Sequence, residues 1–325
     1  MELYLNTYGT YLHKKGEMFE VRIDDKTKRI SPKRISSIVI SNAAQLTTDA
    51  IQLALEYNID IVFLDKYGNP YGRLWLPKLG STTFIRRRLL EIYQNDTGLE
   101  FVKHWLNRKT ENQLKFLKEI LKKRPHLQME TKISEVTRLR QLLIHTNGVL
   151  SETAYRILGI EGNISRIYFQ TLSVLLPEKF KFKSRSSRPA MDPFNAFLNY
   201  GYGVLYSKIE KALIIAGLDP YIGLLHTDNY NKKSLVFDFI EPYRILVDEP
   251  VFYLFSRRRI KDSFYDKIEK GVILNEQGKK FFIAELIESF DKKIRHKNRN
   301  MKSINQIQAD AHAFANFLIG KRKVY

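Results

Sequence analysis

The sequence predicts an α+β protein of more than one domain, in which a small β-rich N-terminal domain precedes a larger all-α domain. Over residues 1–80, apolar and polar residues alternate with the two-residue period of β-strands. From about Thr82, apolar residues recur at intervals of three and four, as in amphipathic helices. We therefore expect a β-rich domain over residues 1–80, a linker over 81–90 and a helical domain over 91–325.

The first domain shows strand patterns on either side of one short helix. The predicted strands lie in LYLNTYGTYLHKKGEMFEVRI (3–23), ISSIVIS (35–41), IDIVFLD (59–65) and KYGNPYGRLWL (66–76). The Gly-Asn-Pro sequence at 68–70 predicts a hairpin turn between the last two. The stretch TTDAIQLALEYN (47–58) has helical spacing, with Thr47 or Thr48 as its N-cap.

The later part of the chain reads as a series of long helices. They are predicted in FIRRRLLEIYQ (84–94), GLEFVKHWLNRKTENQLKFLKEILKKR (98–124), METKISEVTRLRQLLIHT (129–146) and SETAYRILGIEGNISRIYFQTLSVLLP (151–177). A further helix, DPFNAFLNYGYGVLYSKIEKALIIA (192–216), has Asp192 as N-cap, Pro193 at its first position and Gly217 after its end. The remaining chain is expected to be helical with a basic end.

Charge is the strongest signal in the composition. The chain has 54 Lys and Arg against 35 Asp and Glu, a net charge of +19. Residues 1–80 hold 11 basic and 9 acidic residues, net +2, so residues 81–325 hold 43 and 26, net +17. Because the sequence has no separate amphipathic lysine helix, this excess favours a nucleic acid over a membrane as partner. We expect the nucleic acid to contact mainly the later part of the chain.

Other features narrow the class of protein. No stretch approaches eighteen uninterrupted apolar residues, and the N-terminus alternates instead of carrying an apolar block, so we expect a soluble protein that is not exported. The absence of cysteine excludes disulfides, thiolate zinc sites and a cysteine nucleophile. No GxxxxGK[ST], GxSxG or HExxH motif occurs, which disfavours ATP-driven enzymes and the common hydrolases.

One short stretch, GLLHTDNYNKKSLVFDFIEPYR (223–244), carries candidate metal ligands. Asp238 and Glu241 are three apart and would share one face of a helix beginning at Ser234. Together with His226 twelve residues before, and with Glu161 at the expected start of another helix, they suit Mg²⁺ or Mn²⁺. By spacing alone, a solvated acidic pair beside a core histidine is the more ordinary interpretation and stays open.

Basic stretches supply candidate DNA contacts. The segment KFKFKSRSSRP (179–189) interleaves cations with Phe180 and Phe182, and its Ser and Pro content predicts a flexible loop that clamps phosphates. RRRIK (257–261) and KKIRHKNRNMK (292–302) add two more clusters. Our candidate nucleic-acid-binding residues are Lys181, Lys183, Arg185, Arg188, Lys208 and Arg244.

Four motifs in order give the sequence a resemblance. They are GIEGNISRIYF (159–169), SRPAMDPFNAFLNYGYGVLY (187–206), AGLDPYIGLLH (216–226) and SLVFDFIEPYR (234–244). In this order they resemble the CRISPR-associated integrase and endonuclease family, the catalytic subunit of the spacer-adaptation machinery. The β-rich start, with TTDAIQLALEYNIDIVFLD and GRLW, is similar to that family's N-terminal domain, so the resemblance covers essentially the whole chain.

The resemblance implies a function and a site. It implies a divalent metal held by Glu161, His226 and Glu241, with Asp238 supporting the site or contacting metal through water. It also implies a prokaryotic cytoplasmic protein that forms a homodimer through its β-rich domain, acts with a small ferredoxin-like companion subunit, and joins DNA fragments to a CRISPR repeat by transesterification. One departure is Pro242 directly after Glu241, where we expect the helix to kink.

Two alternatives to this function stay open at the level of sequence. The first is a non-catalytic nucleic-acid-binding scaffold, in which the acidic residues are structural and no metal binds. The second is a stand-alone structure-specific DNA nuclease acting in repair, which would use the same metal site without a companion subunit.

Overall fold

A computed structural model describes residues 1–75, 82–123, 125, 127–187, 189–226, 232–296 and 299–322. Contacts within the chain define two compact units. The first contains Met1–Lys78, Arg188–Ser207 and Lys261–Ala284, and the second contains Leu79–Ser187, Lys208–Ile260 and Glu285–Tyr325. The sequence pattern predicted one break between two contiguous domains. Periodicity reports the local geometry of an element and not which other elements it packs against, so it could not show that each unit is assembled from three stretches of the chain.

The first unit is built around two four-stranded sheets. Its N-terminal strands are β1 (Glu2–Leu5), β2 (Thr10–Lys15), β3 (Met18–Ile23), β4 (Lys26–Ile30), β5 (Ser37–Ile40), β6 (Ala44–Leu46), β7 (Asp60–Leu64) and β8 (Pro70–Leu74). One sheet has the order β1-β5-β7-β8, with only β8 antiparallel to its neighbour, and the other has the order β4-β3-β2-β6. The predicted hairpin at 68–70 is the β7–β8 connection.

The core of this unit follows the alternation seen in the sequence. Helix α1 (Thr48–Glu56) starts at the N-cap Thr47, whose side chain accepts a hydrogen bond from Ala50 N. Its buried face joins the inward side chains of both sheets. Members of this cluster that are at most 2% exposed include Leu5, Leu12, Phe19, Ile38, Leu53 and Ile61.

The fold class is confirmed, since a β-rich N-terminal region precedes a helical one. The later helices are α2 (Thr82–Tyr93), α3 (Asp96–Lys123), α4 (Leu127–Ile144), α5 (Leu150–Val174), α6 (Pro193–Ile215), α7 (Ser234–Phe239), α8 (Ile245–Ser256), α9 (Glu276–Asp291) and α10 (Ser303–Leu318). Asp192 caps α6 through a 2.8 Å hydrogen bond from Asn195 N. The described part of the predicted linker, 82–90, belongs to α2.

Two short hairpins interrupt the helical region. They pair β9 (Tyr265–Ile268) with β10 (Gly271–Leu274) and β11 (Lys293–His296) with β12 (Arg299–Lys302). The prediction of helices alone missed them. Within the described ranges, no helix has the length and apolar content needed to cross a membrane.

Candidate metal centre

Helix α3 forms the base of the candidate site in the second unit. Trp105 packs edge-on against Phe239 with ring centroids 5.6 Å apart, and Asn112 Nδ2 donates a 2.8 Å hydrogen bond to the carbonyl of Pro242. Between these contacts, Lys109 reaches the carboxylate of Glu241. One face of α3 therefore holds the segment that carries two of the predicted site residues, Asp238 and Glu241.

Glu161 lies in the middle of α5. The sequence predicted it at the start of a helix because of the adjacent glycines, but α5 begins at Leu150, and neither Gly159 nor Gly162 ends it. Packing of the buried α5 face overrides the low helix propensity of glycine. Ser165, one turn later, donates a 2.7 Å hydrogen bond to Glu161 Oε1. The Glu161 side chain remains 24% exposed, so it can be approached from solvent.

Glu241 lies outside α7, as expected from Pro242. Helix α7 ends at Phe239, and Glu241–Tyr243 form a 3-10 turn. Proline lacks the N–H that a continuing helix would need and restricts the residue before it. For this reason Asp238 and Glu241 do not present their carboxylates to a common point. The interpretation of one helix bearing both was wrong, and each binds different groups.

The Glu241 carboxylate is buried and ionised. Arg244 Nε donates a 2.8 Å hydrogen bond to Oε1, and Lys109 Nζ lies 2.6 Å from Oε2. Burial raises the pKa of Glu241, but the charges of Arg244 and Lys109 outweigh burial and lower it to about 2. No hydrogen bond of good geometry reaches Oε2 from the described residues. Its charged partner is the Lys109 ammonium, and a carboxylate oxygen is also a donor that a divalent cation accepts.

Lys109 joins the two glutamates. Its ammonium group contacts Glu161 Oε1 as well as Glu241 Oε2, and the side chain is 6% exposed. Burial lowers the pKa of Lys109, but Glu241 and Glu161 together raise it above its usual value. The two carboxylates, carried by different elements, therefore converge on one positive charge.

Asp238 fixes the loop that carries His226. Asp238 Oδ2 accepts hydrogen bonds from Leu224 N and Leu225 N at 2.6 and 3.0 Å, and Oδ1 accepts one from His226 N at 3.1 Å. His226 Nδ1 is 2.6 Å from the same Oδ1. A Cβ on Gly223 would lie 2.5 Å from Ser234 Cβ, so the close approach of this loop to α7 requires glycine.

This arrangement orients the imidazole. Because Nδ1 is bound to Asp238, Nε2 is the nitrogen left for a cation, as in carboxylate–histidine–metal arrangements. Burial lowers the pKa of His226, but the hydrogen bond and charge of Asp238 raise it above its usual value. Asp238 has both oxygens occupied, so it acts on the site through His226.

The donor set fits a divalent cation, although the ligands are not gathered around one point. Among the described residues, no three His, Asp or Glu side chains converge as a metal cage does. Two carboxylates and an imidazole with Nε2 available are nevertheless donors that Mg²⁺ and Mn²⁺ accept. The Lys109 ammonium lies between the two carboxylates and acts as the cation there.

The predicted DNA contacts have different surroundings. The 179–187 segment is anchored by buried Phe180 and Phe182, and Ser173 Oγ bonds both the N–H and the carbonyl of Phe182, which argues against a wholly flexible loop. Lys181 pairs with Glu178 at 2.6 Å, and Arg185 lies 5.2 Å from the centre of the Phe169 ring.

The other four candidates differ in their exposure and in their contacts. Lys183 is exposed and Lys208 is half-buried. Arg244 is bound to Glu241, so it belongs to the candidate metal centre and not to an open surface. Arg188 lies outside the described residues.

Sequence reasoning missed the residues that support the glutamates, which are Lys109, Asn112 and Ser165. The signal for Lys109 was present. The apolar stripe of α3 runs through Phe101, Trp105 and Phe116, and position 109 falls on it with a lysine in place of an apolar residue. A cation on the buried stripe of an amphipathic helix predicts a buried anionic partner.

Comparisons with known proteins agree with the resemblance. The CRISPR-associated endonuclease Cas1 1 of Archaeoglobus fulgidus is 32% identical over 338 aligned residues, which cover 99% of this chain and 98% of that protein. A casposase bound to its integration product has a similar fold, with a TM-score of 0.85 at 23% identity, covering 99% of this chain and 92% of the casposase.

A chain of a Cas6-RT-Cas1–Cas2 complex also shares the fold. Its TM-score is 0.82 at 22% identity, and the match covers 99% of this chain and 35% of the larger one. The family model described as CRISPR associated protein Cas1 matches residues 3–288. With that match over most of its length and a relative of 32% identity along nearly all of it, the chain belongs to the Cas1 family.

Proposed function

We propose that this protein is a metal-dependent DNA integrase and endonuclease that inserts foreign-DNA fragments into a CRISPR array by transesterification. The observation that carries the proposal is the convergence of Glu161 and Glu241 on one cation, with His226 oriented by Asp238. These are the family's motif positions, and they come from three separate parts of the chain. A scaffold without chemistry would not need two carboxylates from separate elements to converge on a buried cation in an otherwise basic unit.

Glu161, His226 and Glu241 would hold the metal, Mg²⁺ or Mn²⁺. When bound, such a cation polarises the target phosphate and stabilises the charge of a pentavalent transition state. Asp238 keeps His226 Nδ1 engaged and so directs Nε2 to the cation. Arg244 holds the Glu241 carboxylate through Oε1, which fixes the direction of Oε2.

The reaction itself exchanges one phosphodiester bond for another. The terminal hydroxyl of the bound fragment loses its proton and forms a bond to the phosphorus of the repeat strand. The bond between that phosphorus and the strand's own oxygen breaks, and the leaving oxygen takes up a proton, so no net proton is consumed. When water replaces the hydroxyl as nucleophile, the same exchange is hydrolysis. One site would therefore support both integrase and endonuclease activity.

Charge supports DNA as the substrate. The net charge of residues 81–325 is +17, and distributed phosphate contacts supply most of the affinity of such proteins. Among the predicted contacts, exposed Lys183 is the one best placed to meet a phosphate. Lys181, Arg185 and Lys208 would add to the same field, while Arg188 stays a prediction from sequence.

The partners proposed for the protein are a second copy and a small companion subunit. The homodimer would form through the β-rich domain, and the companion would be the ferredoxin-like subunit of the adaptation complex. One support is that a chain of similar fold occurs in a solved Cas6-RT-Cas1–Cas2 complex. The protein would act in the prokaryotic cytoplasm, where the array it modifies lies.

A strand-transfer assay tests the proposal. It combines a supercoiled plasmid carrying the repeat, a short duplex with free terminal hydroxyls, and the companion subunit, with Mn²⁺, Mg²⁺ or chelator. We expect metal-dependent joining that His226→Ala abolishes, while DNA affinity stays within about tenfold because most contacts are to phosphate. His145→Ala, which removes an exposed histidine from the same unit, is the control.

Other results would support the alternatives. Normal joining by His226→Ala would overturn the ligand assignment. DNA binding without joining under every metal condition would indicate the scaffold. Metal-dependent cleavage whose products do not change with the companion subunit would indicate the stand-alone nuclease.

A further inference from the structure

Lys109 is a buried cation at the centre of the candidate site. Its ammonium contacts Glu161 Oε1 and Glu241 Oε2, which belong to α5 and to the 3-10 turn before α8, while Lys109 itself comes from α3. Its side chain is only 6% exposed, so solvent does little to weaken these contacts. The lysine therefore joins three elements at one point by charge.

The two carboxylates need a cation in the absence of metal. Glu241 is 5% exposed, and an isolated buried carboxylate is strongly unfavourable. Arg244 satisfies Glu241 Oε1, but the oxygen on the side of Glu161, Oε2, has Lys109 as its charged neighbour. Without the Lys109 ammonium, two carboxylates would approach each other with no positive charge between them.

A divalent metal held by both glutamates would compete with this ammonium for their oxygens. Both would use the same oxygens of Glu161 and Glu241, and their like charges repel strongly in a buried site. A lysine is suited to such an exchange because its charge is a compact ammonium on a flexible four-carbon stem, which can swing while the α3 backbone stays fixed. Of the two partners of Lys109, Glu161 is the more exposed, at 24%, so the contact is more accessible to solvent at Glu161 than at Glu241.

We propose that Lys109 is an internal counter-ion of the metal centre, a positioning residue that holds Glu161 and Glu241 together in the metal-free protein and leaves when metal binds. Lys109 thereby lowers the affinity of the site for free metal. The inference rests on the proposed metal-dependent function. It adds to that function a residue that controls how readily the site takes up metal.

Metal binding without DNA tests this directly. Mn²⁺ affinity would be measured by electron paramagnetic resonance on wild type, Lys109→Met and Lys109→Gln, with thermal unfolding recorded with and without Mn²⁺. We expect Mn²⁺ to bind about tenfold or more tightly to both variants, because the competing charge is gone. Without metal the variants should unfold at a lower temperature than wild type. Mn²⁺ should raise the unfolding temperature of the variants by more than it raises that of wild type.

Two comparisons separate this role from a merely structural one. Lys103→Met removes a lysine from the same helix, where it pairs with exposed Glu100, and should leave Mn²⁺ affinity unchanged. In the wild-type protein, labelling with an amine-reactive reagent followed by mass spectrometry should show Lys109 protected without Mn²⁺ and several-fold more reactive with it. This second measurement does not depend on the folding of any variant.

The outcomes distinguish this inference from the proposed function. If wild type binds Mn²⁺ and Glu161→Ala does not, but Lys109→Met and Lys109→Gln bind no more tightly than wild type, the metal site stands and the counter-ion role is wrong. Lys109 labelling that saturating Mn²⁺ leaves unchanged also overturns the role. If wild type and the Lys109 variants all fail to bind Mn²⁺, the metal-dependent function fails and this inference fails with it.

Discussion

Asp238 is a buried side chain that holds the loop and the imidazole of His226 in the candidate site. Its two oxygens accept three backbone N–H groups of the 224–226 loop and face His226 Nδ1. This carboxylate therefore positions both the loop and the ring. In the proposed metal site, such supports would matter as much as the proposed ligands themselves.

Replacing Asp238 by Asn should lower strand joining by about 10–100-fold, a loss typical of groups that orient a metal-binding histidine. An amide offers one acceptor oxygen where the carboxylate offers two, so either the loop or His226 loses its partner. DNA affinity should stay at the wild-type level in a filter-binding assay. Asp291→Asn, at a surface pair with Lys302, is the control, and wild-type joining by Asp238→Asn would exclude the orienting role.

At the level of a helix, two glycines, Gly159 in α5 and Gly203 in α6, have different structural roles. A Cβ on Gly159 of α5 would meet no atom within 4 Å, whereas a Cβ on Gly203 of α6 would lie 2.0 Å from the carbonyl oxygen of Gly68. The first glycine only weakens its helix. The second allows α6 to pack closely on the turn between β7 and β8.

These glycines should respond oppositely to alanine. Gly159→Ala should raise the free energy of unfolding by about 0.8–1 kcal/mol, the difference in helix propensity. Gly203→Ala should lower it by about 1–3 kcal/mol because the methyl group overpacks the contact. Chemical denaturation of both variants beside wild type checks the signs, and a destabilised Gly159→Ala would mean that α5 packs differently there.

The sheet β4-β3-β2-β6 contains a buried acid whose charge should make stability depend on pH. Glu20 is 1% exposed and binds Arg29 at 2.8 Å, Arg22 at 2.8 Å and His13 at 2.9 Å. The hydrogen bonds from Arg29 and Arg22 are the main cause that lowers the pKa of Glu20 from 4.5 to about 2. Its contribution to stability is complete above about pH 4.5 and is lost as pH falls to about 2.

Glu20→Gln should therefore unfold at a lower temperature than wild type at pH 7, because the amide cannot bind the two guanidinium groups as an anion does. The difference in Tm should shrink as pH falls from about 4.5 towards 2, where wild type also loses this charge. Thermal unfolding followed by circular dichroism over this range measures it. A difference that stays constant with pH would show that the Glu20 charge does not contribute.

At the scale of the whole molecule, the uneven charge predicts where DNA binds. Residues 81–325 carry +17 of the net charge of +19, so phosphate contacts should come mainly from this part. Affinity for duplex DNA should fall by about 10³–10⁵ between 50 and 200 mM salt if 6–10 phosphates are contacted. A weak salt dependence would contradict an electrostatic mode of binding.

Substituting single lysines tests whether the later part of the chain supplies the phosphate contacts. Lys183→Ala should reduce the slope of log affinity against log salt by about 1, the effect of one lost phosphate contact. Lys28→Ala removes an exposed lysine from β4 in the N-terminal region and should leave the slope unchanged. Equal effects of the two substitutions would mean that binding is not confined to the later chain.

Features that depend on residues close together in the sequence were predicted better than contacts between residues far apart in it. Alternation, helical spacing and the Thr47 and Asp192 caps are local signals, and the corresponding elements were correctly predicted. A kink of the helix at Glu241 was predicted from Pro242, and the structure shows an interruption of the helix there, with α7 ending at Phe239 and a 3-10 turn following. Glu161 was misplaced at a helix start because packing, not local propensity, carries α5 through its glycines.

Contacts between distant parts of the chain could not be predicted. Lys109 contacts Glu161 and Glu241, which follow it by 52 and 132 residues in the sequence. The apolar periodicity of α3 does not identify either glutamate as its partner. The four ordered motifs led to Glu161, His226 and Glu241 as candidate ligands, which stay a prediction, but not to the residues that contact them. The position of Lys109 on the apolar stripe of α3 indicates a buried anionic partner, but only the packing of α3 against the turn that contains Pro242 shows which partners Lys109 and Asn112 have.

The most direct test of the metal centre is the position of Mn²⁺ in crystals of the protein, located by anomalous diffraction. We predict one peak bounded by the carboxylates of Glu161 and Glu241 and by Nε2 of His226, with the Lys109 ammonium moved away from both carboxylates. Density for Lys109 still between the two glutamates, with Mn²⁺ absent or bound elsewhere, would contradict the proposed site.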